Sequence, residues 1–172
     1  MSEKFLLQKI STPFGAIEAK WTESKLLYSC LFASNETVKS SAPECLAESG
    51  LARLQHAFES YFDSGHFDWD FCSLDTSGLS PFQIRVLQGC AGIPSGTCWT
   101  YGQLAANAGS PKAARAVGMV MATNRWPIVV PCHRVVGANG KLVGYSGSGG
   151  LSTKRQLLEL EQQQGSQLML FS

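Results

Sequence analysis

The sequence predicts a mixed α/β (α+β) protein, in which a small sheet-and-helix domain precedes a mostly helical domain with a helix-turn-helix. Short apolar or alternating runs separated by turn residues fill the start of the chain. Segments with apolar residues every three or four positions dominate the remainder. A polar, glycine-containing stretch, Asp75–Ser80, lies between them. We therefore place an N-terminal α/β domain at residues 1–76 and a second domain at residues 79–166.

Three strands and one helix are predicted in the first domain. The strands cover Phe5–Ile10, Ile17–Trp21 and Leu26–Phe32, with turn residues between them. The helix covers Ala42–Gly65, because one face carries apolar side chains at helical spacing: Leu51, Leu54, Ala57, Phe58, Tyr61 and Phe62. Phe67–Phe71 is predicted to be a closing strand.

The second domain is predicted to contain four helices, over Ser80–Cys90, Thr100–Ala108, Ser110–Thr123 and Thr153–Gln164. Ser80-Pro81 has the residue types that open a helix, and Gly109 ends one helix just before the next begins. The two middle helices therefore form a helix-turn-helix. Ile128–Pro131 is predicted to be a short β-like run that leads into Cys132.

Charge is unevenly distributed along a chain whose net charge is only +1. Residues 1–78 carry 6 Lys/Arg and 11 Asp/Glu, whereas residues 79–172 carry 8 Lys/Arg and 2 Asp/Glu. No acidic residue occurs between Asp75 and Glu159. A basic half without acids suits a polyanion such as nucleic acid, because neutralised phosphates release counterions. Charge alone fits chance clustering equally well.

No apolar run approaches the length needed to span a bilayer, and the first residues, Met1–Lys4, lack the pattern of a secretory signal. We expect a soluble intracellular protein, cytoplasmic or, in a eukaryote, nuclear. The 6 cysteines form no C-x2-C or C-x4-C pair, which disfavours a zinc site. We expect no metal and no cofactor.

Cys132 and His133 are candidates for nucleophilic chemistry, because a thiol attacks as its thiolate and needs a partner for its proton. In an extended segment their side chains would point to opposite faces, so a bridging water or a turn would have to connect them. An acid that orients His133 would be Glu159 or Glu161, the only acids of the second half. Spacing alone slightly favours the other interpretation, in which Cys132 is a buried structural thiol and His133 a core histidine.

Motifs along the second half, taken together, resemble the O6-alkylguanine-DNA alkyltransferase family. They are Pro81-Phe82-Gln83, Thr100–Ala105, Pro111–Gly118, Asn124 and Pro131-Cys132-His133-Arg134-Val135. The resemblance covers residues 79–162 and implies DNA repair by a single-turnover enzyme. The enzyme would irreversibly transfer an alkyl (methyl) group from O6 of guanine to Cys132, after the base is flipped out. It also implies an RNase H-like first domain and leaves activity on O4 of thymine open.

The resemblance further implies a role for each matched residue. Cys132 is the alkyl acceptor, His133 its base through a water, and Glu161 the group that orients His133. Asn124 belongs to a hinge, and Tyr101 helps to turn the nucleotide out. A monomer would bind the minor groove of double-stranded DNA. The residues that contact the DNA would be Arg115, Tyr101, Ala114, Lys112 and Arg134. The flipped guanine would lie against Val135, Tyr145 and Ser146.

Two features depart from the family pattern. Asn124 is followed by Arg125-Trp126, whereas many relatives have a proline directly after this asparagine. The glycine loop Gly144–Gly150 is also longer than in the family pattern, so Ser146 and Ser148 both remain candidates for the pocket serine. Two other functions stay open. One is an alkyltransferase-like protein that binds lesions without repairing them; the other is a Cys-His hydrolase.

Overall fold

The N-terminal part folds into a three-stranded antiparallel sheet. A computed structural model describes residues 6–13, 15–22, 25–31 and 48–169. The strands are β1 (Leu6–Thr12), β2 (Gly15–Trp21) and β3 (Leu26–Leu31), in that spatial order. Alternate side chains of β2 are buried, as the period of two along a strand requires. The predicted meander is confirmed, although Phe5 and Phe32 lie outside the described residues.

Helix α1 (Glu48–Ser64) packs against the sheet. Its buried residues are those of the predicted apolar face: Leu54, Ala57, Phe58 and Tyr61. Gly65 ends the helix with φ 71°, and its N–H donates to the Tyr61 carbonyl at 2.8 Å. The predicted helix began at Ala42, but residues 42–47 lie outside the described part of the chain.

The predicted strand Phe67–Phe71 was wrong. Residues 66–70 have no regular secondary structure, and Phe71–Ser73 forms a 3-10 turn capped by the Asp70 carboxylate. The aromatic rings instead pack individually on the core, with Phe67 5.1 Å from Phe58 and Trp69 5.6 Å from Trp21 between ring centroids. The aromatic residues of this segment therefore reflect packing on the core and not the formation of a strand.

The second part contains the four predicted helices with adjusted ends. They are α2 (Pro81–Ala91), α3 (Tyr101–Asn107), α4 (Ala114–Ala122) and α5 (Gly150–Met169). Ser80 and Thr100 each close a capping box with the glutamine three residues later, which fixes where α2 and α3 start. Helix α4 starts later than predicted, because residues 110–113 form a turn after Gly109. No helix among the described residues has the length and apolar character to cross a membrane.

The segment before Cys132 is not the predicted β-like run. Pro127 and Val130 make one isolated bridge, and Ile128 adopts a φ of 71°, which is strained for a β-branched residue. Cys132–Arg134 is a 3-10 turn, followed by β5 (Val135–Val136). Because β5 pairs in parallel with β4 (Trp99–Thr100), the start of α3 lies beside the segment that carries Cys132.

The segment between α4 and Cys132 also contacts the N-terminal sheet. The indole N–H of Trp126, which is fully buried, donates to the Leu26 carbonyl at 3.0 Å. The Ser29 N–H donates to the Arg125 carbonyl at 2.8 Å. The two parts of the chain are therefore joined directly behind the Cys132 turn.

Candidate active site around Cys132

Cys132 lies at the wall of a cavity of about 270 Å³. Its side chain is 6% exposed, and the 3-10 turn holds it between the cavity and the protein interior. The other residues that line the cavity are Tyr101, Gly118, Met121, Ala122, Gly144, Tyr145 and Ser146. The thiol is thus shielded from bulk water but accessible to a group that enters the cavity.

His133 lies on the interior side of the same turn, fully buried. Its Nε2 is 2.8 Å from Oε1 of Glu161. Its Nδ1 is buried and has no hydrogen-bond partner among the described residues. An ionised carboxylate only accepts hydrogen bonds, so Nε2 carries the proton and Nδ1 keeps its lone pair. This tautomer leaves Nδ1 able to accept a proton.

Glu161, from α5, is surrounded by donors. The Arg134 guanidinium contacts both carboxylate oxygens at 2.9–3.1 Å, and the Gly96 N–H donates to Oε2 at 3.0 Å. The Tyr61 hydroxyl donates to Oε1 at 2.8 Å. Burial opposes ionisation, but the hydrogen bonds from His133 and Arg134 and the positive charge of Arg134 outweigh it and lower the pKa of Glu161 to about 2. Glu161 is therefore a permanent anion at neutral pH.

The resting thiol and imidazole are both neutral. Burial raises the pKa of Cys132, although the Asn124 amide, the Lys154 ammonium and nearby backbone N–H groups stabilise its thiolate. Burial also lowers the pKa of His133, against the opposing effect of Glu161. The site therefore holds a protonated sulfur, a base able to accept its proton, and donors ready to stabilise the anion.

Asn124 connects the end of α4 to the Cys132 turn. Its Nδ2 donates to the Val130 carbonyl at 2.9 Å, and its Oδ1 accepts from the Trp126 N–H at 3.0 Å. The amide oxygen and one N–H of Nδ2 are thus bound to the backbone that precedes Cys132, while the second N–H of Nδ2 stabilises the Cys132 thiolate. The two backbone bonds support the strained segment around Ile128.

Lys154 is a buried lysine at the rear of the cavity. It is 0% exposed, and its Nζ donates to three backbone carbonyls: Val135 at 2.6 Å, Val143 at 3.0 Å and Gly144 at 3.2 Å. It therefore joins the segment after Cys132 to the start of the glycine loop. Burial lowers the pKa of Lys154.

Two tyrosines, Tyr101 and Tyr145, line the cavity. The Tyr101 hydroxyl contacts the Val143 carbonyl only at 3.5 Å. The Tyr145 hydroxyl is buried and has no hydrogen-bond partner within the described residues. A Cβ at Gly147 would lie 2.5 Å from the Tyr145 ring, so this loop position needs glycine to let the ring lie close. Among the described residues, both hydroxyls thus lack a strong partner.

The geometry distinguishes the two serines of the glycine loop. Ser146 lines the cavity, whereas Ser148 is not part of the lining, and its carbonyl accepts a hydrogen bond from Thr153 at 2.8 Å. Ser146 is therefore the better candidate for the pocket serine.

Helix α4 forms the outer rim of the site. It contributes Gly118, Met121 and Ala122 to the cavity wall, while its opposite edge faces solvent. Arg115 and, just before the helix, Lys112 are exposed, and Ala114 is half-buried. Met119 is 72% exposed, an unusual position for a large apolar side chain. The rim is therefore a basic surface with an apolar centre.

Comparison with known proteins places the chain in a family. Residues 81–163 match the family described as "6-O-methylguanine DNA methyltransferase, DNA binding domain". A methylated-DNA–protein-cysteine methyltransferase of Mycobacterium leprae is 42% identical over 76% of this chain and 77% of the relative. That of Methanosarcina acetivorans is 37% identical over 87% and 94%. This chain belongs to the methylated-DNA–protein-cysteine methyltransferase family.

The fold agrees with this assignment. The crystal structure of Mycobacterium tuberculosis OGT in complex with DNA superposes with a TM-score of 0.76 and 35% identity, over 92% of this chain and 93% of that one. The mixed α/β architecture predicted from the sequence is therefore confirmed. The family membership likewise confirms the resemblance on which the sequence interpretation depended.

Arg134 does not lie where this methyltransferase was expected to contact DNA. The side chain is buried, its Nε and Nη2 bind Glu161, and its Nη1 donates to the Ile93 carbonyl. A guanidinium occupied in this way has no donor directed at a phosphate. The prediction that Arg134 binds DNA is corrected: the residue holds Glu161.

Val135 also differs from its expected place. It is fully buried and not part of the cavity lining, while its carbonyl accepts from Lys154. The structure brings several of the other predicted site residues together. Cys132, Tyr101, Tyr145 and Ser146 meet at the cavity, and His133, Glu161 and Asn124 surround the Cys132 turn.

Sequence reasoning missed two residues of this site. Tyr61 was counted as one of the apolar face of α1, and Lys154 was not singled out because lysine is normally exposed. Neither lies in a local motif with the residues it contacts. Tyr61 and Glu161 are 100 positions apart in the chain.

The departure Arg125-Trp126 has a structural explanation. The Arg125 guanidinium stacks on the Trp126 ring at 4.7 Å, and its Nη2 donates to the Asp75 carbonyl at 3.0 Å. The Trp126 side chain is inserted against the sheet. The pair therefore attaches the segment before Cys132 to the N-terminal part. Within the described residues there is no group of three or more His, Cys, Asp or Glu able to hold a metal ion.

Proposed function

We propose that this protein repairs DNA by moving an alkyl group, typically methyl, from O6 of guanine onto its own Cys132. The observation that carries the proposal is the position of the thiol. Cys132 lies at the wall of a cavity, and a buried His133–Glu161 pair lies behind it. A cysteine with a base on one side and space on the other is arranged for attack on a group that enters the cavity.

The proposed reaction is a displacement at the alkyl carbon. The Cys132 proton passes through a water to Nδ1 of His133, and Glu161 stabilises the imidazolium through Nε2. The sulfur then bonds to the alkyl carbon as the carbon–O6 bond breaks and guanine leaves with the electron pair. The Tyr101 hydroxyl lines the same cavity and is protonated at neutral pH, so it is placed to protonate the leaving base.

The product is a thioether, so each protein molecule acts once. Hydrolysis of a thioether would require a strong activator of its carbon–sulfur bond, and the described residues provide none. The reaction is therefore stoichiometric and irreversible. The alternative in which the protein only binds lesions is not favoured, because it requires the acceptor cysteine to be missing.

The proposed partner is double-stranded DNA, bound by the rim formed by α4. Lys112 and Arg115 supply positive charge, and Ala114 and Gly118 let the helix backbone approach closely, which suits the minor groove. The target nucleotide leaves the stack to reach Cys132, at a cost of a few kcal/mol. Arg115 would fill the space it leaves. The Mycobacterium tuberculosis neighbour was crystallised with DNA, which supports this partner.

The same proposal covers the organisation and location of the protein. We take residues 1–76 as an RNase H-like domain and residues 79–166 as the DNA-binding and alkyl-transfer domain, a division supported by the family match beginning at residue 81. One copy of the chain contains all the residues of the proposed site, so we infer a monomer. It would work wherever the genome lies, in the cytoplasm or, in a eukaryote, the nucleus.

Intact-mass and peptide mass spectrometry after incubation with O6-methylguanine duplex DNA tests the proposal. We expect one added methyl group per protein, on the peptide containing Cys132, and no further turnover. Cys132→Ala should abolish transfer while DNA binding persists, and Cys98→Ala, which removes an exposed thiol, is the matched control. DNA binding without methylation would instead indicate a lesion-binding protein. Repeated turnover of an ester would indicate a hydrolase.

A further inference from the structure

Tyr61 connects the N-terminal part of the protein to the catalytic pair. It lies on α1, is 0% exposed, and its hydroxyl is 2.8 Å from Oε1 of Glu161 and 3.3 Å from Nε2 of His133. Burial and the Glu161 charge raise the pKa of Tyr61, so its hydroxyl remains protonated and donates to the carboxylate. Its bond therefore has a fixed direction.

The hydroxyl acts on the oxygen that His133 uses. Oε1 of Glu161 accepts from Tyr61, from Nε2 of His133 and from Nη2 of Arg134. Each donor neutralises part of the carboxylate charge, so each reduces the attraction that Glu161 exerts on the imidazole proton. A hydroxyl at this position therefore affects both the orientation and the basicity of His133.

We propose that Tyr61 is a positioning residue for alkyl transfer, whose hydroxyl fixes the His133–Glu161 pair and moderates the negative charge that His133 experiences. This inference depends on the proposed function. It means that α1, which carries no residue of the cavity, contributes to the reactivity of Cys132. A tyrosine that merely filled the core would need its ring but not a bond to this particular oxygen.

Among the described residues, four other titratable or charged groups surround His133. Glu161 and Lys154 face it from α5, and Arg134 and Cys132 flank it in the turn. Tyr61→Phe removes one donor from Glu161 and keeps the ring and all of these groups. The carboxylate then stabilises imidazolium more strongly, so His133 binds a proton at higher pH and stops acting as a base earlier on acidification. The pH at which the transfer rate falls on acidification should therefore rise by about 1 pH unit.

Single-turnover methyl transfer measured from acidic to neutral pH tests the inference. Tyr28→Phe is the matched control, because its hydroxyl bonds another glutamate, Glu18, at 3.0 Å, in the N-terminal sheet. We expect a shifted profile for Tyr61→Phe and an unchanged profile for the control. Superimposable profiles for Tyr61→Phe and the unmodified protein would overturn the inference and leave Tyr61 a packing residue.

NMR titration of the His133 ring nitrogens gives a readout that does not require alkyl transfer. Tyr61→Phe should raise the midpoint at which His133 becomes protonated by about 1 pH unit, whereas Tyr28→Phe should not change it. If the unmodified protein transferred no methyl group, the proposed function would fail, but this titration would still test Tyr61. An unchanged midpoint in a folded Tyr61→Phe variant counts against the inference by itself.

Discussion

The two sides of Cys132 are built differently. Behind it, the carboxylate oxygens of Glu161 accept from Tyr61, His133, Arg134 and the Gly96 N–H. In front, the Tyr145 hydroxyl has no partner among the described residues, and the Tyr101 hydroxyl has only a 3.5 Å contact. The difference indicates that the carboxylate behind Cys132 is already fully hydrogen-bonded in the free protein, and we propose that the hydroxyls of the cavity are kept for the substrate.

The largest effect should follow a change behind the thiol, Glu161→Gln. The buried Arg134 guanidinium would lose its anion, which costs about 3–5 kcal/mol of stability. His133 would lose the charge that stabilises its protonated form, and transfer should slow by about 100-fold. Thermal unfolding and single-turnover rates, measured on the same samples, check both effects.

Glu159→Gln is the matched control, since it removes the other acid of the second half from an exposed position on the same helix. It should change neither stability nor rate.

The pKa of Glu161 is lowered from 4.5 to about 2 in the folded protein. Its ionisation therefore stabilises the fold above pH 4.5, and this contribution is lost as the pH falls towards 2. The stability difference between the unmodified protein and Glu161→Gln should shrink over that range; a constant difference would contradict the assigned charge.

The relay was only partly predictable from the sequence. Cys132 and His133 are adjacent, but the scarcity of acids in the second half left Glu159 and Glu161 both open, and only the family resemblance selected Glu161. The resemblance also implied that Arg134 contacts DNA, whereas the structure buries its guanidinium. Its burial depends on Glu161, 27 positions away, and no local pattern encodes such a pairing.

An intermediate effect should follow a change at the outer rim, Arg115→Ala. Arg115 is exposed, so stability should change little. Transfer from duplex DNA should fall by about 10-fold, because the side chain no longer supports the extruded state. Transfer from the free modified base should be unchanged. Rates on both substrates give the result, with Arg155→Ala as a control of equal charge; equal losses on both substrates would remove Arg115 from base flipping.

The fold was predictable where local chemistry decides it. Ser80-Pro81 was predicted to open a helix and Ile17–Trp21 to form a strand, and both are found in the structure, which adds capping boxes at Ser80 and Thr100. Ile128–Pro131 was mistaken for a β-like run because apolar β-branched residues favour strands. Prolines at 127 and 131 lack the N–H that a ladder needs, and Ile128 adopts a positive φ two residues after Trp126, which is bonded to the sheet. Tertiary contacts therefore override the local preference next to the reactive cysteine.

The smallest effect should come from the cavity itself, with Tyr145→Phe. A buried hydroxyl without a partner is unfavourable in the free protein, so its removal should leave stability unchanged or raise it slightly. If the hydroxyl is kept for the substrate, transfer should slow by about 3- to 10-fold, on duplex DNA and free base alike, the loss of about one hydrogen bond. Tyr28→Phe removes a hydroxyl that is bonded within the protein, and it should leave the transfer rate unchanged on duplex DNA and on the free base. A loss of stability with an unchanged rate would mean that the Tyr145 hydroxyl is hydrogen-bonded within the protein, as the groups around Glu161 are. The contrast between the two sides of Cys132 would then be wrong.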